Sequence, residues 1–216
     1  MIFYFDIETV PLVQHYYQLN DRMKGLWNKK HQRFDFSEPT VEAESFEQKA
    51  GLYPEFGKIV CISVGYWKNE NFVCKSYTGE EKEILNDFFS DMESVSSLVL
   101  CGHNIKGFDI PFVCKRSLIN GVEIPRWINV VGRKPWEIPH IDTMEMWKFG
   151  DMRNFTSLDT IAAVLGIESS KDEMDGSMVG VTYWNDENGI EKIITYCEAD
   201  VQVTAKVHRA ITSGML

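Results

Sequence analysis

At 216 residues and 24.9 kDa, the chain is long enough for one substantial core but short for two full domains, so we expect a single domain over residues 1–216. A hydrophobic content of 44% with six tryptophans favours a folded globular protein over a disordered one. The net charge of −10 argues against a uniformly basic nucleic-acid-binding protein. Net charge is an average, however, and leaves locally basic surfaces open.

The sequence contains no apolar run of membrane-spanning length, and its N-terminus lacks the basic start and cleavage site of a signal peptide. We therefore expect no membrane partner and a cytoplasmic location. The cysteines are odd in number and widely spaced, without a C-x-x-C motif, which favours reduced core side chains over a zinc site or a disulfide framework. They are Cys61, Cys74, Cys101, Cys114 and Cys197.

The first predicted element is a strand at residues 3–9, rich in aromatic and β-branched residues. Side chains alternate along a strand, so Asp6 and Glu8 lie on one face while Phe5 and Ile7 lie on the other. Two neighbouring carboxylates on an otherwise apolar strand repel each other and are costly to desolvate. Either a bound cation offsets that cost, or the strand lies at an edge with its acidic face in solvent.

Residues 11–54 form a long polar insertion, in which we expect helices because structureless loops of this length are unusual in compact domains. Its first half, residues 22–34, is the densest basic stretch of the chain and also contains Trp27 and Phe34. Cations for phosphates and aromatic rings for stacking suit a single nucleic-acid strand. A solvated helix face is the alternative interpretation.

The next predicted elements are a hairpin with strands at residues 58–67 and 72–77, then a helix. Thr78 with Glu81 predicts a capping box for this helix. A short apolar strand follows at residues 97–101. Asp109, as an N-cap two residues before Pro111, predicts the start of another helix through about residue 119.

The C-terminal part predicts a strand end at residues 141–142, a short helix at 144–147, and a helix capped by Thr156 with Asp159 and ending near Gly166. Residues 179–188 are too ambiguous to assign. The last helix, about residues 190–212, has one apolar face. Asp200 falls inside that face and Tyr196 lies one turn before it, so Asp200 requires a buried partner.

Three motifs follow one another in order along the chain. They are Asp6-x-Glu8, Asn104-x-x-x-Phe108-Asp109 and Tyr196-x-x-x-Asp200. In this order the chain resembles the DEDD superfamily of 3′-to-5′ exonucleases, and the tyrosine four residues before the last aspartate is typical of the DEDDy subgroup. Within that group it is most similar to the stand-alone predicted exonucleases related to the proofreading domain of family-B DNA polymerases.

The resemblance implies an α/β fold of the ribonuclease H-like type, with a mixed central sheet flanked by helices. It also implies a site for two ions, Mg²⁺ or Mn²⁺, which carboxylate oxygens suit. By the same resemblance, Asp6 would bridge the two ions, Glu8 and Asp200 would complete the ion on the side of the attacking water, and Asp109 would hold the second through water. Tyr196 would orient the attacking water through its hydroxyl.

The resemblance places Asn104 and Phe108 at positions that hold the substrate and shape the 3′-terminal pocket. A turn-forming asparagine and a core phenylalanine are the alternative roles. Lys171 lies where polymerase proofreading domains carry a lysine that helps the reaction, although the surrounding match is loose.

The activity that follows is a metal-dependent 3′-to-5′ exonuclease releasing nucleoside 5′-monophosphates from single-stranded DNA or RNA 3′ ends, with DNA slightly preferred. The alternative is a non-catalytic nucleic-acid-binding module of the same fold. Because the sequence stops soon after the third motif, we expect no fused polymerase and no proofreading in cis. A partner polymerase, a repair role and RNA trimming remain open.

Overall fold

The computed structural model of the protein describes residues 1–37, 39–151, 153, 155–169 and 174–214. These residues contain five strands, β1 (Ile2–Pro11), β2 (Gly57–Lys68), β3 (Asn71–Thr78), β4 (Val99–Gly102) and β5 (Ile141–Asp142). The strands form a mixed sheet in the order β3-β2-β1-β4-β5. Strand β1 is antiparallel to β2, β2 is antiparallel to β3, and β4 and β5 run parallel to β1.

Helices cover both faces of this sheet, as the sequence predicts. The α-helices of the described residues are α1 (Asp21–His31), α2 (Glu42–Lys49), α3 (Glu81–Glu93), α4 (Asp109–Asn120), α5 (Thr143–Lys148), α6 (Leu158–Val164), α7 (Val179–Asn185) and α8 (Gly189–Ser213). On one face Phe5 and Ile7 of β1 pack in a core with side chains of α3 and α4, and on the other Val10 packs with α7 and α8.

Strand β1 is the central strand, and it is longer than predicted because it includes Pro11. Pro11 pairs with Gly57 of β2. On its other side β1 pairs with β4 only through residues 2–4, so Pro11 faces no partner there that would need its missing N–H. The ladder with β2 is interrupted by a bulge between Glu8 and Thr9, which changes the direction of the strand just after the acidic pair.

The insertion is helical, as predicted, and has a small core of its own around Trp27. The Trp27 ring is fully buried, and its Nε1 donates to the backbone oxygen of Glu42 at 3.0 Å. Phe34 packs edge-on against Trp27 and stacks against Tyr53. The hypothesis that Trp27 stacks on nucleobases is therefore wrong, because the ring is occupied by the core of the insertion.

The predicted helix starts need correction. Glu81 does not form a capping box with Thr78, because its carboxylate is buried against Arg116 and accepts the amide of Ile59 at 2.8 Å. Helix α4 has Phe108 at the N-cap position, with Asp109 as its first residue.

Helix α6 is capped by Ser157 rather than Thr156, since the Ser157 hydroxyl accepts the amide of Thr160. The carbonyl of Thr156 lies instead against the His103 ring, 3.0 Å from Nε2. The region left unassigned from the sequence contains α7. All five cysteines are free thiols, as expected. Among the described helices, none is both long and apolar enough to cross a membrane.

Candidate active site

The acidic pair on β1 faces the long helix α8, on the opposite side of the sheet from Phe5 and Ile7. Asp6 is partly buried and Glu8 is buried. Oxygen atoms of the two carboxylates and Sγ of Cys197 all lie within 4.8 Å of one another. Strand β1 is central, so the edge-strand alternative does not apply, and the two carboxylates are close enough to share a cation.

Helix α8 brings Tyr196 and Asp200 to the same place. Both are buried, and burial together with the nearby charge of Asp200 raises the pKa of Tyr196. Cys197 follows Tyr196 on the helix, and its thiol donates to the carboxylate Oδ2 of Asp6 at 3.6 Å. The apolar face predicted for this helix is therefore buried, and the aspartate inside it is directed toward the carboxylates of β1.

The start of α4 supplies the fourth carboxylate, Asp109, which is 3% exposed. The backbone amide of Ile7 lies against this carboxylate and favours its charged form. Asp109 and Asp200 lie outside the 4.8 Å group, yet both are near enough to Asp6 to raise its pKa. Among the described residues, the four predicted acids thus converge from β1, α4 and α8. We call them the carboxylate site.

Burial and mutual repulsion dominate the electrostatics of the carboxylate site. Loss of hydration raises the pKa values of Asp6 and Glu8 well above their ordinary range, and the neighbouring carboxylates raise them further. Burial raises the pKa of Asp109 to about 7. Burial and the charges of Asp200 and Glu8 also raise the pKa of Tyr196, so its hydroxyl remains protonated at neutral pH.

The donor set fits a hard divalent cation, since carboxylate oxygens are its preferred ligands. Cys197 does not change that preference. Burial raises the pKa of its thiol well above the ordinary value, and the thiol acts as a hydrogen-bond donor to Asp6 rather than as a thiolate. A cation held between the carboxylates would offset the repulsion that raises their pKa values.

A cavity of about 200 Å³ adjoins the carboxylate site and is lined by Glu8. We call it the terminal cavity. Phe108 forms part of its wall, Gln48 and Leu52 of the insertion form a second part, and Ser177 before α7 forms a third. Because Glu8 lies in this wall, a molecule in the terminal cavity would directly contact the carboxylate site.

The other predicted substrate residues have mixed outcomes. Asn104 adopts a left-handed conformation, φ 61°, and its carbonyl accepts the amides of Gly107 and Phe108, so it forms the turn before α4. Phe108 is half-buried and packs on Phe112, yet it also lines the terminal cavity. Lys171 lies outside the described residues.

Residues 52–211, more than half of the chain, match the model of a family described as a predicted 3′-5′ exonuclease related to the exonuclease domain of PolB. The chain belongs to this family. The matched range of this exonuclease family contains Asp109, Tyr196 and Asp200, and it begins after Asp6 and Glu8. Exonuclease domains of this kind generally use divalent metals.

A solved structure is similar to nearly the full length of the chain, including the part before residue 52. The family B DNA polymerase from the hyperthermophilic archaeon Pyrobaculum calidifontis matches with a TM-score of 0.60 and 18% sequence identity. The match covers 98% of this chain and 24% of the polymerase chain. The fold is therefore the ribonuclease H-like fold that the sequence predicts. No curated protein matches the sequence significantly.

Sequence reasoning missed two residues of this region. Asp142 organises the loop before α4: its Oδ1 accepts the amide of Asn104 at 3.0 Å and its Oδ2 that of Lys106 at 3.2 Å. Asp142 also caps α5, a role that its position before Thr143 and Glu145 could have indicated. Cys197 was predicted only as a core residue. Its position next to Tyr196 in the sequence could have indicated that it lies at the carboxylate site.

Proposed function

We propose that the protein is a metal-dependent 3′-to-5′ exonuclease that releases nucleoside 5′-monophosphates from single-stranded nucleic acid, with DNA slightly preferred over RNA as the substrate. Family membership supports an exonuclease. The observation that supports the chemistry is the convergence of Asp6, Glu8, Asp109 and Asp200 with Tyr196 beside the terminal cavity.

In this proposal Asp6, Glu8, Asp109 and Asp200 hold two divalent ions, Mg²⁺ or Mn²⁺. When bound, such ions acidify the attacking water and stabilise the leaving oxygen of an in-line phosphoryl displacement. Tyr196 keeps its proton because of its raised pKa, so it orients the attacking water by hydrogen bonding rather than acting as the base. Phe108 packs against the 3′-terminal nucleotide in the terminal cavity, and Asn104 and Lys171 are further candidates for substrate contact.

Degradation of labelled strands distinguishes the exonuclease from the alternative, a module that binds nucleic acid without turnover. Single-stranded DNA and RNA of one sequence, labelled at the 5′ end, are incubated with Mg²⁺, Mn²⁺ or chelator, alongside Asp200→Asn. The proposal predicts a ladder of shortened strands that disappears in chelator and in the variant. Strands that are bound by the wild type but stay intact in both metals would establish the binding module instead.

Tyr196→Phe is expected to reduce the rate of strand shortening by about 10- to 100-fold, because the variant loses the hydroxyl that orients water and leaves the acids in place. Affinity for Mn²⁺, measured by titration calorimetry, should stay within about twofold of the wild type, since phenol is not a ligand for hard cations in this arrangement. Unchanged rates would remove Tyr196 from the reaction. Loss of Mn²⁺ binding would show that its role is structural.

Affinity for Mn²⁺ is expected to rise with pH through and above neutrality. At pH 6 the acids with raised pKa values, Asp109 at about 7 and Asp6 and Glu8 well above their ordinary values, hold protons that the ion must displace. Each displaced proton increases the apparent affinity by about tenfold per pH unit until its pKa is passed. Calorimetry in two buffers of different ionisation enthalpy measures the protons released. Absence of proton release would contradict the raised pKa values.

A further inference from the structure

A second cavity, of about 220 Å³, lies next to the terminal cavity and shares two side chains with it, Leu52 and Phe108. It lies between the insertion and α4. We call it the lysine cavity, because Lys30 of α1 and Lys115 of α4 both line it. The two cavities are therefore neighbours, with Leu52 and Phe108 lining both.

The charges of the lysine cavity suit phosphate groups. Lys30 Nζ lies 3.5 Å from the centre of the Tyr53 ring, and Lys115 is exposed. Within the described part of the chain, neither lysine forms an ion pair with a carboxylate. Glu55 also lines the cavity, so two ammonium groups face one carboxylate. The balance favours an anionic occupant.

The wall that the insertion contributes is firmly attached to β1. The Thr9 hydroxyl donates to the backbone oxygen of Gly51 at 2.8 Å, and the amide of Leu12 donates to Phe56 at 2.9 Å. A Cβ atom at Gly51 would lie only 3.2 Å from the Thr9 oxygen, so the two backbones are in close contact. The part of the insertion that lines both cavities is thus held in place by the central strand.

Resting on the proposed function, we propose that residues 12–37 and 39–56 form one side of a groove for the strand immediately 5′ of the nucleotide to be removed. Lys30 and Lys115 bind phosphates of that strand. Leu52, which is 56% exposed between the two cavities, separates the terminal nucleotide from the next one. Lys30 precedes residue 52, where the family match begins, whereas Leu52 and Lys115 lie within the matched range.

The test compares two double variants that each remove two positive charges. K30Q/K115Q alters the lysine cavity, and K29Q/K82Q, at two exposed lysines of α1 and α3, is the matched control. Binding of a 5′-fluorescent oligothymidylate is followed by anisotropy over a range of salt concentrations, in Mg²⁺ and in the Asp6→Ala background to prevent degradation. Thymidine 5′-monophosphate is titrated in parallel as the ligand of the terminal cavity.

K30Q/K115Q is expected to weaken oligothymidylate binding by about tenfold and to reduce the slope of log affinity against log salt by about 1 to 2. Its affinity for the mononucleotide should match that of the control. K30R/K115R, which keeps both charges, should restore strand binding, and Glu55→Gln should tighten it. If K30Q/K115Q and K29Q/K82Q have the same strand affinity and salt slope, the groove proposal is wrong.

The experiment distinguishes an incorrect groove proposal from an incorrect exonuclease proposal. Suppose that the wild-type protein shortens strands from the 3′ end while K30Q/K115Q behaves as the control does. The exonuclease proposal is then supported and the groove proposal is wrong. If the wild type neither shortens nor binds strands, both proposals fall together. Equal weakening of mononucleotide and oligonucleotide binding would also overturn the groove, because the lysines would then act on the terminal cavity.

Discussion

Asp6→Ala is expected to reduce exonuclease activity by at least about 1,000-fold while leaving the protein folded. Burial and the charges of Asp109 and Asp200 raise the pKa of Asp6, and its oxygen lies within 4.8 Å of a Glu8 oxygen, so its removal opens the centre of the carboxylate site. In chelator at pH 8 the free energy of unfolding should be at least as large as that of the wild type, because one of several mutually repelling carboxylates is gone.

In the presence of Mn²⁺ the wild type should be more stable than Asp6→Ala, the opposite of the order expected in chelator. At about 100 times its Kd, the ion is expected to add about 3 kcal/mol to the free energy of unfolding of the wild type and little to that of Asp6→Ala. Chemical denaturation with and without Mn²⁺ measures both effects. Asp87→Ala, at an exposed acid of α3, is the matched control and should behave as the wild type does. Wild-type activity in Asp6→Ala would refute the assignment of the site.

Arg116→Met is expected to lower the free energy of unfolding by about 3–5 kcal/mol, because it leaves a buried carboxylate without its counterion. The guanidinium pairs with Glu81 through two hydrogen bonds, Nε to Oε1 at 2.8 Å and Nη2 to Oε2 at 2.5 Å. Nη1 donates to the Pro54 carbonyl at 2.9 Å, so the arginine also holds the end of the insertion. Both side chains of the pair are almost completely buried.

Urea unfolding measures this effect, and two further variants identify its cause. The double variant Arg116→Met/Glu81→Leu should recover part of the loss, because no unpaired charge remains buried. Lys192→Met removes a cation from an exposed pair with Asp186 and should change stability by less than about 1 kcal/mol. A loss below about 1 kcal/mol in Arg116→Met would show that the carboxylate of Glu81 regains water, contrary to its burial.

The direction of a side chain was predictable where local periodicity fixes it. The two-residue period of a strand places Asp6 and Glu8 together on one face, and the helical period places Asp200 in the apolar face of α8. These rules depend on neighbours a few residues apart, so they need no knowledge of the tertiary fold. The order of most strands and helices along the chain was predictable for the same reason, but α7 was not.

Other features depend on contacts between distant segments. Trp27 lies in a basic stretch that suits nucleic-acid binding, yet the insertion folds around the ring as its own core. Glu81 matches a capping pattern, but Arg116, 35 residues away, captures its carboxylate. Asp142 and Leu52 acquire their places beside α4 and the terminal cavity only when separate elements meet. Local sequence patterns do not predict such contacts between distant segments.

The most direct test of the central claim is the fate of a label on the last nucleotide of a single strand. A strand labelled within its 3′-terminal nucleotide is incubated with the wild-type protein and Mg²⁺, and the first products are separated by size. We expect the label to appear at once as a nucleoside 5′-monophosphate, and not at all in chelator or in Asp6→Ala. Label that first appears in longer fragments, or only after the rest of the strand is degraded, would contradict a 3′-to-5′ exonuclease.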